Sequence, residues 1–266
     1  MSKTLVQQQF GVNAANYSTS TVHAKGASLG RLVELVKPAR DWIVLDIATG
    51  AGHTAAAFAP HVARVVASDL TPEMLTEARK LAEAKGLANM ETATADAERL
   101  PFGDKSFDLV TCRIAPHHFP DVAAFVAESW RVLKPGGLFA LVDNVTPDAE
   151  TAAGFSQSEY AQAAAAYNAF ERLRDPSHGR ALSTIEWLDL IAGQGFHLLH
   201  KEHARKTMEF AAWCRTMAVA DETVAHLQSM LAGASPALHA YLQPRTENGK
   251  LTFTLFELIA LARIAA

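Results

Sequence analysis

The stretch best suited to chemistry runs from Trp42 to His53, WIVLDIATGAGH. Apolar Ile43, Val44 and Leu45 lead into Asp46, and the small residues Ala48, Thr49, Gly50, Ala51 and Gly52 follow. Residues with little or no side chain let a ligand approach the backbone, where a helix start offers its N–H groups. The run reads as a nucleotide-type binding turn at the tip of the first strand of an α/β sheet. Its spacing fits a dinucleotide. Gly50-Ala-Gly52-His-Thr-Ala55 satisfies the relaxed fingerprint, and Asp69 stands 19 residues beyond Gly50, where a ribose-binding acid belongs. Asp46 argues against a pyrophosphate, because two negative groups about 4 Å apart repel by roughly 4 kcal/mol at intermediate dielectric. An ammonium there is attracted instead. S-adenosylmethionine, with an α-ammonium, a sulfonium, a ribose and an adenine but no phosphate, suits such a turn.

The surrounding chain supplies the elements that must position this turn. Residues 26–36 space Leu29, Leu32, Val33 and Val36 at helical intervals before Pro38. A helix over 54–59 stops at Pro60, and 62–68 reads as a second strand closed by Asp69. Thr71 as cap and Pro72 at the first helical position open a helix that ends at Gly86. A third strand over 90–95 leads to Asp96-Ala97-Glu98. A fourth over 107–113, a helix over 122–133, and a fifth strand over 138–143 after the turn Lys134-Pro135-Gly136-Gly137 complete the first half. This alternation predicts an α/β fold: a Rossmann-like, mainly parallel seven-stranded sheet with right-handed crossovers, helices on both faces and ligands at the carboxyl ends of the strands.

After Pro147 the pattern changes to an alanine-rich helix with Tyr160, Tyr167 and Phe170, followed by Arg172 to His178. It is expected to form a helical lid after strand five, its aromatics available to line an enclosed site or to pack the core. Helices over 183–192, 208–218 and 221–231, a strand over 196–204 and a last, antiparallel strand over 251–262 follow. The expected organisation is a single domain: cap helices in 1–37, a cofactor-binding core in 38–147, the lid in 148–182, and completion of the sheet with extra helices in 183–266.

Composition narrows the function class. A chain of 266 residues with 49% apolar and 20% charged residues can bury a full core. No apolar run reaches the ~18 residues of a membrane span, and the N-terminus lacks a secretion-signal plan, so cytoplasmic residence is expected. A net charge of -4 disfavours nucleic acid as partner. Cys112 and Cys214 fit neither a disulfide framework nor a zinc spacing, which leaves them as buried hydrophobes, and no metal site is expected.

The sequence resembles the class I S-adenosylmethionine-dependent methyltransferases, in particular the small-molecule branch of ubiquinone and menaquinone C-methyltransferases with their type 11 methyltransferase domain. The opening motif, an acid followed by alternating glycines, is represented by Asp46, Ala48, Gly50 and Gly52, with Ala48 in place of the first glycine. The phrases Leu100-Pro-Phe-Gly-Asp-Lys-Ser-Phe-Asp108-Leu-Val and Arg131-Val-Leu-Lys-Pro-Gly-Gly137-Leu-Phe carry the match further. The resemblance spans roughly residues 10–147 and thins after that, although Arg174-Asp175-Pro176-Ser177-His178 also resembles related bacterial proteins of unassigned substrate.

The resemblance implies that Asp69 holds both ribose hydroxyls, with Leu70 and Met74 beside the adenine. Asp96 would accept from the adenine amino group and the Ala97 N–H would reach a ring nitrogen. Arg113 and Ile114 would line the methionine end, and Tyr17 would close over the cofactor from the N-terminal segment, where Phe10 also stands. The implied product is S-adenosylhomocysteine, made by methyl transfer to an O, N or C atom of a small-molecule acceptor. His117 and His118 lie just beyond the fourth strand, and a histidine near neutral pKa can take the acceptor's proton. Either is a candidate general base, the alternative being packing or backbone hydrogen bonding. Asp143, Asn144, Arg174 and His178 are candidate substrate contacts. Two other readings remain open: a nicotinamide-dependent, NAD(P)-using oxidoreductase, and a non-catalytic cofactor-binding member of the fold. The oligomer is expected to be a monomer or homodimer.

Overall fold

The computed structural model describes residues 3–18 and 26–265. Its central sheet starts from β1 (Ile43–Ile47), buried on both sides, as a near-continuous apolar run demands. On one flank β1 pairs in parallel with β2 (Arg64–Asp69), which pairs with β3 (Met90–Thr94). On the other flank it pairs with β4 (Phe107–Arg113), which pairs with β5 (Leu133–Asn144). β6 (Phe196–Glu209) is a long edge strand, and β7 (Arg245–Glu247) turns into β8 (Lys250–Ile264). β8 is inserted antiparallel between β5 and β6, giving the order β3-β2-β1-β4-β5-β8-β6. The parallel body and antiparallel last strand match the sequence expectation. The three-residue β7, paired only to β8, is an addition to the seven expected strands.

The order reverses at β1, whose neighbours β2 and β4 run to opposite sides. A crevice opens at the carboxyl ends there, the usual ligand position in such sheets. One face of the sheet is covered by α2 (Ala27–Val36), α3 (His53–Phe58) and α4 (Pro72–Lys85). The other carries α5 (Val122–Val132), α6 (Gln157–Arg174), α7 (Thr184–Gly193), α8 (Phe210–Thr216), α9 (Asp221–Ala232) and α10 (Pro236–Leu242). α1 (Lys3–Ser18) lies on α4, at the rim of the crevice.

Local chemistry explains most of these boundaries and corrects a few expectations. Capping boxes at Ser156 with Glu159 and at Ser183 with Glu186 start α6 and α7. Thr71 occupies the cap position of α4, but its side chain makes no capping bond; its backbone N–H is taken by Asp69. The segment from Lys134 to Gly137, expected as a turn before strand five, is absorbed into β5. Its pairing jumps from Phe107–Leu133 to Leu109–Leu138, and Lys134 is held by Asp108 at 2.8 Å. β6 runs on to Glu209, past the expected end at 204, because β8 offers a partner along its whole length.

The segment expected as a lid is packed into the core. Tyr167, Phe170 and Trp187 are almost fully buried, and α6 packs against α9 and α10. Phe170 stacks on Trp213, and Phe253 meets both edge-on. The aromatics thus have the packing use. Cys112 and Cys214 are free and buried, as expected. No helix among the described residues is long and apolar enough to cross a membrane.

Candidate active site

The crevice at the tips of β1, β2 and β4 encloses about 1000 Å³, counting the space open to solvent. Its floor is the turn after β1. Ala48, Gly50 and Gly52 all have left-handed backbone, with φ of 52°, 55° and 86°. At Gly50 a Cβ would meet nothing and would stand in the crevice, so its absence lets a ligand reach the backbone. At Gly52 the reason is different: a Cβ would lie 2.8 Å from Met90 Cε and 3.0 Å from Ala78 Cβ, so only glycine lets α4 pack this closely. Ala48 occupies the same backbone region with a Cβ, at a cost of roughly 1 kcal/mol. Ala48→Gly relieves that strain but loosens the unfolded chain; the expected net result is a melting midpoint higher by about 1–2 °C. A drop in the midpoint in differential scanning calorimetry would show that the left-handed alanine is not strained.

Asp69, at the tip of β2, is buried but lines the crevice. One carboxylate oxygen accepts from the Gly50 N–H at 2.9 Å and the other from the Thr71 N–H at 2.8 Å. The Thr71 hydroxyl and the Leu70 N–H also donate to this carboxylate, which borders the crevice at the tip of β2. Burial pushes its pKa up, with the backbone N–H groups opposing. Leu70, Met74, Asp96, Ala97, Arg113 and Ile114 all line the same crevice, so the structure brings together nearly every residue expected to touch the cofactor.

Gly52, which serves the packing of α4, does not line the crevice, and neither does Asp46. Asp46 is buried beneath the turn. One oxygen accepts from the Thr111 hydroxyl at 2.6 Å, the other from the Thr49 hydroxyl at 2.5 Å and the Ala55 N–H at 3.2 Å. It ties β1, the turn, α3 and β4 together, and a direct ammonium contact is not what this geometry offers. Burial raises its pKa to about 6 against those hydrogen bonds and the nearby Arg113. Its carboxylate lies directly beneath the glycine turn that floors the crevice.

Ile114, just past β4, has φ of 55°, rare for a β-branched residue. Its N–H is held by the Val142 carbonyl at 2.7 Å, so the surrounding sheet enforces the strain. Arg113 donates from Nε to Thr54 at 3.1 Å and is partly buried where it borders the crevice.

α1 straps the crevice along its length. Lys3 is ion-paired with Asp96 at 2.5 Å and Glu98 at 2.6 Å, Gln7 donates to the Leu70 carbonyl at 3.0 Å, and Phe10 meets the His118 ring edge-on at 4.9 Å. The strap residues Lys3 and Gln7 carried no signal in the sequence, since neither belongs to a motif. Tyr17, expected to close over the cofactor, has a side chain outside the described residues.

The two histidines divide their roles. His118 lines the crevice, but its Nδ1–H donates to the Ser177 carbonyl at 2.8 Å, and burial with His117 nearby lowers its pKa to about 3. It is a neutral hydrogen-bond acceptor through Nε2 and too weak a base to keep a proton. His117, whose ring lies 4.3 Å away, pairs through Nδ1 with Asp143 at 2.6 Å. Burial pulls its pKa down, yet the Asp143 carboxylate more than offsets this and holds it above the ordinary value. The basic member of the pair thus stands one ring behind the crevice wall.

Of the expected substrate contacts, Asp143 supports His117, while Asn144 turns to the opposite face of the sheet, because successive strand residues alternate. They do not share a cavity. Arg174 is spent on the lid, stacked over Trp213 at 4.5 Å and donating to the Trp213 carbonyl at 3.1 Å. His178 donates to Asn168 at 2.8 Å, and burial lowers its pKa to about 2. Both are scaffold of the 175–180 loop, which is itself zipped onto the His-His turn through the Gly179 and Arg180 N–H groups and the His117 carbonyl. Among the described residues no group of His, Cys, Asp and Glu could hold a metal ion.

A crevice at the switch point of a Rossmann-like sheet, with a glycine floor and a carboxylate offered to a ribose, defines an enzyme that binds a nucleoside-bearing cofactor. Its relatives are consistent and specific. The methyltransferase domain family matches residues 45–141. The uncharacterised methyltransferase YcgJ of Bacillus subtilis is 42% identical over 206 residues, 77% of each chain. The crystal structure of that protein superimposes with a TM-score of 0.79 at 32% identity, over 90% of this chain and 98% of that one. BH2331 of Bacillus halodurans superimposes with 0.82 at 37%, over 91% and 100%. The demethylmenaquinone methyltransferase of Deinococcus radiodurans is 45% identical over 107 residues, 39% of this chain and 44% of that one. The chain belongs to the class I S-adenosylmethionine-dependent methyltransferases. The residues present fit S-adenosylmethionine on structural grounds as well: the Asp69 carboxylate borders the crevice where a ribose would lie.

Proposed function

We propose that the chain methylates an O, N or C atom of a small-molecule acceptor by in-line displacement, with Asp69 on the ribose hydroxyls and Asp96 with the Ala97 N–H on the adenine. Ile114 and Arg113 line the methionine end. S-adenosylmethionine, when bound, would supply an activated methyl group to the acceptor's nucleophilic electron pair (a lone pair on O or N, a π or carbanion pair on C), leaving S-adenosylhomocysteine. Most of the rate comes from holding donor and acceptor atoms about 3–3.5 Å apart and aligned. His118 borders the crevice and positions the acceptor, and His117, oriented by Asp143 one ring behind it, is the more basic of the pair and the final holder of a proton that an O or N acceptor loses.

The observation that carries this reading is the buried Asp69 carboxylate, held by the Gly50 and Thr71 N–H groups and bordering the crevice above the glycine turn. Calorimetry with two ligands tests it: S-adenosylhomocysteine is expected to bind in the micromolar range and NADH not at all, and NADH-only binding would overturn the assignment. A non-catalytic member of the fold would bind the cofactor yet form no S-adenosylhomocysteine with any of a broad panel of phenol, amine and activated-carbon acceptors.

A further inference from the structure

α1 forms a wall of the crevice that the core holds weakly. Lys3, Val6 and Phe10 line the crevice, and with Gln7 they stand three and four residues apart, on one face of the helix. That face crosses both ends of the site. Lys3 reaches Asp96 and Glu98, Gln7 reaches the Leu70 carbonyl, and Phe10 meets the edge of His118. Yet none of residues 3–11 is buried, and the most extensive contact of α1 is with the neighbouring helix α4. The segment behind the histidine pair is the opposite case, with Asp175, Ser177 and His178 all buried. Elements with few buried contacts are the ones that open at little cost in free energy.

Charge rather than packing closes the adenine end. The Lys3 ammonium lies 2.5 Å from Asp96 and 2.6 Å from Glu98. Both acids are anchored from behind: Asp96 accepts from the Glu98 N–H at 3.1 Å, and Glu98 accepts from the Asp121 N–H at 2.7 Å, at the start of α5. The moving half of the contact is a single side chain on the helix. Burial pulls the pKa of Lys3 down, yet its hydrogen bonds to Asp96 and Glu98 more than offset this, so the ammonium keeps its charge. Lys3 stands in the first turn of α1, where the helix dipole disfavours a cation. The two carboxylates offset that penalty only while α1 is docked. The Lys3 and Asp96 side chains are 36% and 30% exposed, so salt screens their attraction. Such a contact holds a helix down and releases readily.

We infer that α1 is a gate over the crevice, latched by Lys3 on Asp96 and Glu98, and that cofactor and acceptor exchange through the opening it leaves when it lifts. The inference rests on the reading that the adenine lies against Leu70, Asp96 and Ala97, beside the latch. Phe10 shares the helix face of Lys3, so release of the latch also withdraws Phe10 from His118. A gate has a kinetic signature that a binding contact lacks. It slows entry and exit by the same factor and leaves the equilibrium unchanged, whereas a group that touches the bound ligand acts mainly on the exit rate.

Surface plasmon resonance with S-adenosylhomocysteine, on the full chain attached through its C-terminus so that α1 is free, tests the gate. Lys3→Met keeps a long side chain and removes the charge; it is expected to raise both the association and dissociation rates by about threefold or more, with the dissociation constant unchanged within about twofold. Lys3→Arg, which keeps the ion pairs, should exchange at the rates of the unaltered protein. Raising NaCl from about 50 to about 500 mM should speed exchange in the unaltered protein and not in Lys3→Met. A rise in the dissociation rate alone would make Lys3 an ordinary cofactor contact and overturn the gate, as would rates indifferent to both the substitution and the salt. Failure of the unaltered protein and its variants alike to bind S-adenosylhomocysteine would overturn the cofactor reading, and the gate with it.

Discussion

Replacing Asp69 by alanine is expected to weaken S-adenosylhomocysteine binding by at least tenfold, about 1.4 kcal/mol. Two losses act together. The ribose hydroxyls lose a charged acceptor, and hydrogen bonds to a charged group are worth about 1.5–3 kcal/mol each. The Gly50 and Thr71 N–H groups also lose the oxygens that fix them, so the turn is free to depart from the shape the cofactor needs. Asp69→Asn keeps one oxygen acceptor but faces the other N–H with a donor, and should fall between the two. Calorimetry at a temperature where circular dichroism shows each variant folded separates binding from stability. An unchanged affinity in Asp69→Ala would refute the ribose assignment.

The second large effect concerns stability. Asp46→Ala is expected to cost about 3 kcal/mol or more in urea unfolding, because the Thr49 and Thr111 hydroxyls and the Ala55 N–H are left without their acceptor, each loss costing about 1–3 kcal/mol when buried. Asp46→Asn behaves differently and exposes a pH dependence. The native pKa of about 6 lies above the ordinary value near 4, so the folded state holds the proton more tightly than the unfolded chain. Stability due to this group is therefore fully present below about pH 4 and declines as pH rises towards 6, by about 3 kcal/mol in all. The asparagine variant lacks that slope. Its stability relative to the unaltered protein should improve between pH 4 and 6; a constant difference across this window would mean that Asp46 is not raised. Bound S-adenosylmethionine, with its positive charges above the carboxylate, should reduce the slope.

Much of the cofactor end was legible in the chain. The apolar run, the acid and the small residues at 46–52 are consecutive, and Asp69 follows at a spacing set by one helix and one strand. Local patterning of this kind survives folding, because a strand buried on both faces and a tight turn each demand particular residue types over a few positions. The acceptor end was less legible. Asp143 and Asn144 were grouped although strand alternation separates them, an error that the period of two could have prevented. Lys3, at the other end, was missed for a different reason: a lone lysine near the start of a chain looks like a solvated charge until α1 is seen lying across Asp96 and Glu98.

For this protein the sequence alone determined the element order, the parallel body of the sheet, the binding turn and the methyltransferase family, since each depends on residues near one another in the chain. Only the tertiary structure decided what those residues face. Thr111, 65 positions from Asp46, turned that acid into a strut beneath the turn. Asp143 and Ser177, arriving from β5 and the lid loop, gave adjacent histidines opposite basicities. The threading of β8 between β5 and β6 packed the lid into the core. A hydrogen-bond partner or a buried environment contributed by a distant segment has no signature at the residue it acts on, and that is where the chemistry of the acceptor site lies.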